Sequence, residues 1–201
     1  MKLYIAPGTC SMAPHIALRE AELPVTYVRV QLGKDAKTED GRDYRSINPM
    51  GAVPALELDS GELLTENAVL LQYIASLAPA KALMPEDGIE RWRFLETLNF
   101  VATELHKSFS VLFAKPPEEF KAKMIEKIAG RFDLLEDKLG ANQFLAGDRF
   151  TVADGYAFVM LAWARRFQFD LARWPKLSAY FDRMKQRPSV EAALLEEGLT
   201  A

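Results

Sequence analysis

The chain of 201 residues contains one cysteine and two histidines. A single thiol closes no internal disulfide, and with two well-separated imidazoles it forms none of the usual metal-ligand spacings, so no structural zinc is expected. Long apolar runs are missing as well. The longest, Tyr156 to Ala164, is far shorter than the ~20 residues of a membrane helix. The first residues, MKLYIAPG, lack the apolar stretch of a secretory signal and read as a strand. These absences predict a soluble, cytoplasmic protein without a membrane partner. Basic charge is not in excess: 28 acidic and 25 basic residues leave a net charge of -3. No Lys/Arg-rich face is interleaved with aromatics, so nucleic acid is not an expected partner. There is no internal repeat and no low-complexity tract. Hydrophobic residues at 49% and charged residues at 26% give the balance of an ordinary globular protein.

The pattern changes character along the chain. KLYIA reads as a strand, SMAPHIALREAEL as a helix, and VTYVRV as a second strand. The charged GKDAKTEDGRD reads as a loop into a short helix that stops near NPMG. PALEL and ELL then form a hairpin over DSG, followed by the helix ENAVLLQYIASLA. The order βαβ, then α, then ββα predicts a small mixed α/β sheet with helices packed on it, over residues 1–80. APAKALMPEDG reads as a linker. Residues 87–201 are expected to be all-helical, with helices over Ile89–Ala114, Pro117–Leu139, Val152–Phe167, Trp174–Arg187 and Val190–Glu197.

The lone thiol sits in PGTCSMAPH. Proline is tolerated only in the first turn of a helix, so Pro14 fixes the helix start, with Ser11, Met12 or Ala13 as the N-cap and serine the best capping type. Cys10 then lies just before or close to the cap, where unpaired N–H groups and the positive end of the helix dipole lower a thiol pKa from about 8.5 toward neutrality. Gly8 leaves the backbone beside it open to a ligand. On position alone, Cys10 could equally be an inert buried small residue.

Two further stretches bear on that choice. In NPMGAVPALEL, Pro54 holds Val53 extended, able to offer N–H and C=O to a peptide backbone, though a plain turn into a strand reads the same way. In LLTENAV, Thr65 or Asn67 is an ordinary cap, and a helix start also binds carboxylates. A thiol site, a peptide-backbone site and a carboxylate site together describe a pocket for a small thiol peptide.

With these motifs in place the chain resembles the bacterial beta-class glutathione S-transferases. The likeness spans essentially the whole chain, and LNFVATELHKSFSVLF and FLAGDRFTVADGYAF add to it in the helical half. The resemblance implies a thioredoxin-like glutathione-binding domain over 1–80 and an all-helical domain over 87–201 carrying the second-substrate site and dimer contacts. It implies a homodimer, with glutathione as co-substrate held on the first domain against the second, and no tightly bound cofactor or metal. By resemblance, Cys10 is the cysteine at the glutathione sulfur, Val53 pairs with the cysteinyl backbone, and Pro54 is cis. Glu66 and Asn67 meet the γ-glutamyl end. Asn99, Thr103, Glu104 and His106 line the site or reach a neighbouring subunit's ligand, with His106 and Lys107 at the sulfur. The family's lysine after the second strand matches either Lys37 or Lys34, with Ala36 at the aligned position. Asn67 stands where the family has a small residue.

Elsewhere the residues read structurally. TVAD, Thr151 to Asp154, has the form of a capping box, while Gly155 removes the apolar partner of a hydrophobic staple. His15 reads as a packed, hydrogen-bonded histidine. His106, with an ordinary pKa near 6.5, could donate to a thiolate or shuttle a proton. Phe109, Phe113 and Trp163 are the expected walls of an apolar second-substrate pocket. The expected activity is conjugation of glutathione to small hydrophobic electrophiles, glutathione-disulfide exchange through Cys10, or both. With Ala13 where a second CxxC cysteine would stand, dithiol chemistry is disfavoured. The competing expectation is a non-catalytic carrier of small apolar ligands on the same fold. A glutathione-dependent dehalogenase or isomerase would share the site.

Overall fold

The computed structural model describes residues 1–199, which divide into two compact units. The first comprises Met1–Leu83 together with the described residues from Arg187 onward, and the second is Met84–Gln186.

The first unit is built on a five-stranded sheet in the order β3-β2-β1-β4-β5. β1 (Lys2–Ile5) pairs in parallel with β2 (Thr26–Gln31), and the connection between them carries α1 (Met12–Glu20). β3 (Lys37–Thr38), β4 (Ala55–Glu57) and β5 (Leu63–Thr65) join antiparallel. The central position of β1 explains its unbroken apolar run. Leu3, Tyr4 and Ile5 are all buried, because side chains alternate across a strand and both faces of this one are covered. Tyr4 packs with Val28, Val30, Tyr44, Val53 and Ala55 on one face, while Leu3 and Ile5 take the other. β2 alternates instead, with Val28 and Val30 inside and Thr26, Arg29 and Gln31 exposed, the pattern of a half-buried strand. The loop expected over GKDAKTEDGRD contains β3, and the short helix before NPMG is a single 3-10 turn, Tyr44–Ser46.

Ser11 is the N-cap of α1 and Pro14 its third residue, where a missing N–H has no intrahelical partner to lose. The Ser11 side chain, however, does not cap. Its Oγ turns back to β1 and accepts from the Ala6 N–H at 3.1 Å. α2 (Asn67–Leu77) packs on α1.

One boundary expected from sequence is corrected. α8 (Pro188–Glu197) packs on α1 and belongs with the sheet, so the helical unit ends at Gln186 and residues 187–199 are not part of it. The tie is ionic. Arg187 donates through Nε and Nη2 to the two oxygens of Glu20, both at 2.9 Å. Fully buried His15 lies 3.1 Å from Glu197 and 2.7 Å from Glu196, which agrees with its expected structural role. Linear order along the chain carries no signal for such pairs.

In the second unit α3 (Gly88–Phe100) passes through a π-helical segment, Val101–His106, into α4 (Lys107–Phe113). A single helix was expected here, and its register is broken at VATELH. α5 (Glu118–Leu139), α6 (Val152–Arg166) and α7 (Pro175–Lys185) complete the unit. Twelve of the fifteen residues of α6 are buried, the all-round burial of a central helix. Its start is the expected capping box. Asp154, fully buried, accepts from Thr151 N–H at 2.8 Å and Thr151 Oγ1 at 2.9 Å. Leu145 N–H at 2.8 Å and Tyr180 Oη at 3.0 Å complete its coordination. Burial pushes this carboxyl pKa up, and the four donors oppose that shift.

Candidate active site

In the first unit the residues singled out at the thiol converge. Cys10 is buried at 8% exposure, and its thiol donates to the carbonyl of Val53 at 3.2 Å. The Val53–Pro54 peptide bond is cis, as the resemblance implied. Asn67 reaches the same place from the start of α2, its Nδ2 donating to the Cys10 carbonyl at 2.9 Å. Three chain segments distant in sequence are therefore joined at Cys10 by two hydrogen bonds.

The backbone leading to each segment is held by its own donors. Thr9 Oγ1 donates to the Ala6 carbonyl at 2.7 Å. Ala52, just before Val53, has its carbonyl bonded by Tyr44 Oη at 2.9 Å and Asn48 Nδ2 at 2.7 Å. Gly8 donates its N–H to buried Glu197 of α8 at 2.8 Å. Tyr44, Asn48 and Glu197 were not foreseen as supports. Asn48 had a visible signal in the turn cluster NPMG, whereas Glu197 had none.

Glu66 is exposed and stands at φ 68° and ψ 114°. An L residue held there carries on the order of 1–3 kcal/mol of strain, of the kind that persists at ligand clamps. Asn67 is buried, and its Oδ1 is the one buried side-chain oxygen or nitrogen among the described residues without a hydrogen-bond partner. The orientation of the amide is fixed, because a carbonyl partner accepts only from nitrogen. Ala36 is buried, and its carbonyl accepts from the Tyr44 N–H at 2.9 Å. It presents no functional group, so Lys34 and Lys37, both exposed, are the lysines of this loop available to a ligand.

In the second unit the singled-out residues cluster on and around the π-helical segment. Such segments frequently mark functional sites, because the inserted residue shifts side chains out of helical register. Asn99, Thr103 and Lys107 are exposed. Thr103 Oγ1 donates to the Asn99 carbonyl at 3.0 Å. Glu104 is paired to Arg131 of α5 at 2.7 Å, which holds its carboxyl pKa below the ordinary value. His106 is half-buried, with Nδ1 2.5 Å from Tyr156 Oη. Burial foremost, and then the neighbouring charge of Lys107, push its pKa down to about 4. The expected proton shuttle at neutral pH is therefore corrected: the imidazole is neutral there, and a hydrogen bond is what it can offer.

The apolar trio divides. Phe109 is fully buried, with ring centroids 6.0 to 6.1 Å from Phe132, Trp163 and Phe167. It is a core residue and offers no face to a ligand, which corrects its assignment to the pocket wall. Trp163 is also mostly buried, at 6% exposure. Phe113 is exposed at 38%, packed edge-on to Trp163 at 4.8 Å, with the Arg166 guanidinium 5.4 Å from its ring centre.

Comparison with known proteins gives a consistent answer. Residues 8–77 match the model of the glutathione S-transferase N-terminal domain, and residues 100–188 that of the C-terminal domain. The chain is 42% identical over 201 residues to the glutathione S-transferase GstA of Escherichia coli O157:H7, covering 99% of this chain and 100% of the relative. Among solved structures, a sphingomonad glutathione S-transferase complexed with glutathione is 47% identical, with a TM-score of 0.93 and full coverage of both chains. A bacterial beta-class glutathione S-transferase of Sphingomonas chungbukensis is 46% identical, with a TM-score of 0.94 and again full coverage of both chains.

Proposed function

The chain belongs to the glutathione S-transferase family, and from that membership we propose a beta-class enzyme that activates the thiol of glutathione at Cys10. One observation carries the reading: the Cys10 thiol lies 3.2 Å from the carbonyl of the residue before the cis proline. A peptide laid along an extended segment takes its affinity from main-chain hydrogen bonds. When the cysteinyl N–H of glutathione docks on the Val53 carbonyl, it competes with the Cys10 thiol for that acceptor. The released S–H then turns toward the tripeptide's own sulfur.

In conjugation, the glutathione thiol gives up its proton to solvent, the Cys10 S–H donates to the resulting thiolate, and that sulfur attacks the electrophilic carbon while the leaving group departs with the bonding pair. His106, as a neutral donor, stabilises the same anion. In exchange, Cys10 reacts as its thiolate, the nucleophilic form, and attacks the glutathione sulfur of a mixed disulfide. A Cys10–glutathione disulfide forms and the other thiolate leaves. A second glutathione thiolate then attacks, giving oxidised glutathione and regenerating Cys10.

At the γ-glutamyl end we assign Glu66, whose strained backbone is the supporting observation, together with Asn67 and one of Lys34 and Lys37. Asn99, Thr103 and Lys107 are carried forward as ligand contacts on the strength of their exposure around the π segment. Glu104 serves them through its ion pair with Arg131. Phe113 is the exposed member of the proposed electrophile seat, backed by Trp163. A cytoplasmic homodimer is part of the proposal. Ile89 and Trp92, three residues apart on α3, are exposed at 62% and 68%, and this apolar pair on one helix face supports a partner surface there. Relatives solved with glutathione bound weigh against the carrier alternative.

The test is incubation with oxidised glutathione followed by intact mass measurement, alongside conjugation and disulfide-reduction assays of Cys10→Ala. A glutathione adduct absent from the variant, with exchange turnover lost, is the expected result. Both turnovers surviving unchanged in Cys10→Ala would remove Cys10 from the chemistry.

A further inference from the structure

The imidazole of His106 is fixed from one helix. α6 presents Tyr156 and Trp163, seven residues apart and hence on one face, to its two sides. The ring centroids lie 5.6 Å from Tyr156 at 75° and 5.3 Å from Trp163 at 61°. Nδ1 is engaged by the Tyr156 hydroxyl at 2.5 Å. Nε2 has no hydrogen-bond partner among the described residues, and since Asn67 Oδ1 is the one buried unpartnered side-chain atom among them, Nε2 is open at the surface of the ring's site. Tyr156 itself is 1% exposed and lies on the helix that the Thr151–Asp154 capping box starts.

We propose that Tyr156 is a positioning residue: its hydroxyl donates to His106 Nδ1 and thereby fixes the ring as the neutral tautomer that carries its proton on the open Nε2. The polarity follows from acid–base chemistry. Of the two possible donors, phenol is the stronger acid, at about 10, and imidazole nitrogen is a far stronger base than phenol oxygen, so O–H to N is favoured over N–H to O. The low basicity of the buried ring keeps it neutral at physiological pH. The consequence is directional. A ring with its proton on Nδ1 would aim a lone pair at whatever sits at Nε2 and repel an anion there; with the proton on Nε2 it offers a donor. That consequence for catalysis rests on the proposed role of His106 toward the glutathione sulfur, whereas the tautomer assignment stands without it.

Because the chain has only two histidines, long-range nitrogen–proton NMR of the labelled full-length protein shows two imidazole spin systems, assigned by comparison with His106→Gln. The expected wild-type spectrum at pH 7 has His106 wholly as the Nε2–H form. In Tyr156→Phe, which keeps the ring and removes only the hydroxyl, a mixture of tautomers is expected. kcat for conjugation should fall about tenfold while KM for glutathione stays within about twofold, and Tyr156→Phe should add nothing in a His106→Gln background. A proton on Nδ1 in the wild type overturns the proposal, as does a His106 spectrum unchanged in Tyr156→Phe. The wild-type spectrum decides the polarity even if the variant does not fold. Mixed tautomers in Tyr156→Phe with kcat intact would uphold the positioning and overturn the catalytic reading of His106 instead.

Discussion

The two units hold their functional residues by different physics. Around Cys10, position is set by hydrogen bonds to backbone carbonyls: the thiol on Val53, Asn67 on Cys10, and Tyr44 and Asn48 on Ala52. Around His106, position is set by ring packing, with one hydroxyl as the polar contact. Backbone-held sites are built from turns and caps, which depend on a few residues of special type and can be adjusted one bond at a time. A site held by packed rings is tied to the stability of its whole core, because interiors are close-packed and transmit any change of volume.

The sharpest test of the contrast is Cys10→Ala. Removing the thiol leaves a small side chain and the same backbone, so the unit should fold normally while disulfide exchange drops to background and the glutathione adduct disappears from the mass spectrum. Next in size is Phe109→Ala, expected to cost about 3–5 kcal/mol in urea unfolding, because a fully buried aromatic leaves a cavity. If Phe109 lined a substrate pocket, the variant would change KM for the electrophile with little loss of stability, and the division between the units would fail.

His106 gives a pH-dependent version of the same comparison. Its folded pKa of about 4 lies below the ordinary 6.5, so the unfolded chain binds more protons between those values. Stability contributed by the neutral ring is present above pH 6.5 and lost as the pH falls toward 4, by roughly 3 kcal/mol in all. Denaturation midpoints of wild type and His106→Gln between pH 7 and pH 4 should therefore converge on acidification; parallel curves would show that the ring is not desolvated.

The smallest effect is expected at Asn67. Asn67→Ala removes the bond to the Cys10 carbonyl, worth about 1 kcal/mol, and with it a buried oxygen that has no partner. The two changes offset, leaving stability within about 1 kcal/mol, while KM for glutathione rises as Cys10 loses its tether. A large destabilisation would mean that Oδ1 is satisfied in solution by a donor such as a buried water.

The same contrast explains what was legible beforehand. Pro14, the Val53–Pro54 pair and the Thr151–Asp154 box act within a few residues of themselves, and each was found where expected. Phe109 as a pocket wall and His106 as a proton shuttle were misjudged, because residue type states hydrophobicity or basicity, while burial decides whether a ring is wall or core and whether an imidazole is charged. The hydrogen-bond donor reading of His106 still stands. Tyr156 lies in an apolar run and carried no mark of a polar duty.

Taken by itself, the order of residues determined the alternation of strand and helix, the helical remainder, the start of α1 beneath Cys10 and the cap of α6. These depend on backbone sterics and local hydrogen bonding, which neighbours in the chain decide. Only the tertiary structure decided that α8 joins the sheet unit through His15 and Glu20, and that the helix at VATELH loosens into a π turn. It alone put Asn67 on the Cys10 carbonyl and Tyr156 on His106. Those contacts join residues 50 or more positions apart, and nothing but the closing of the chain on itself brings such groups within reach.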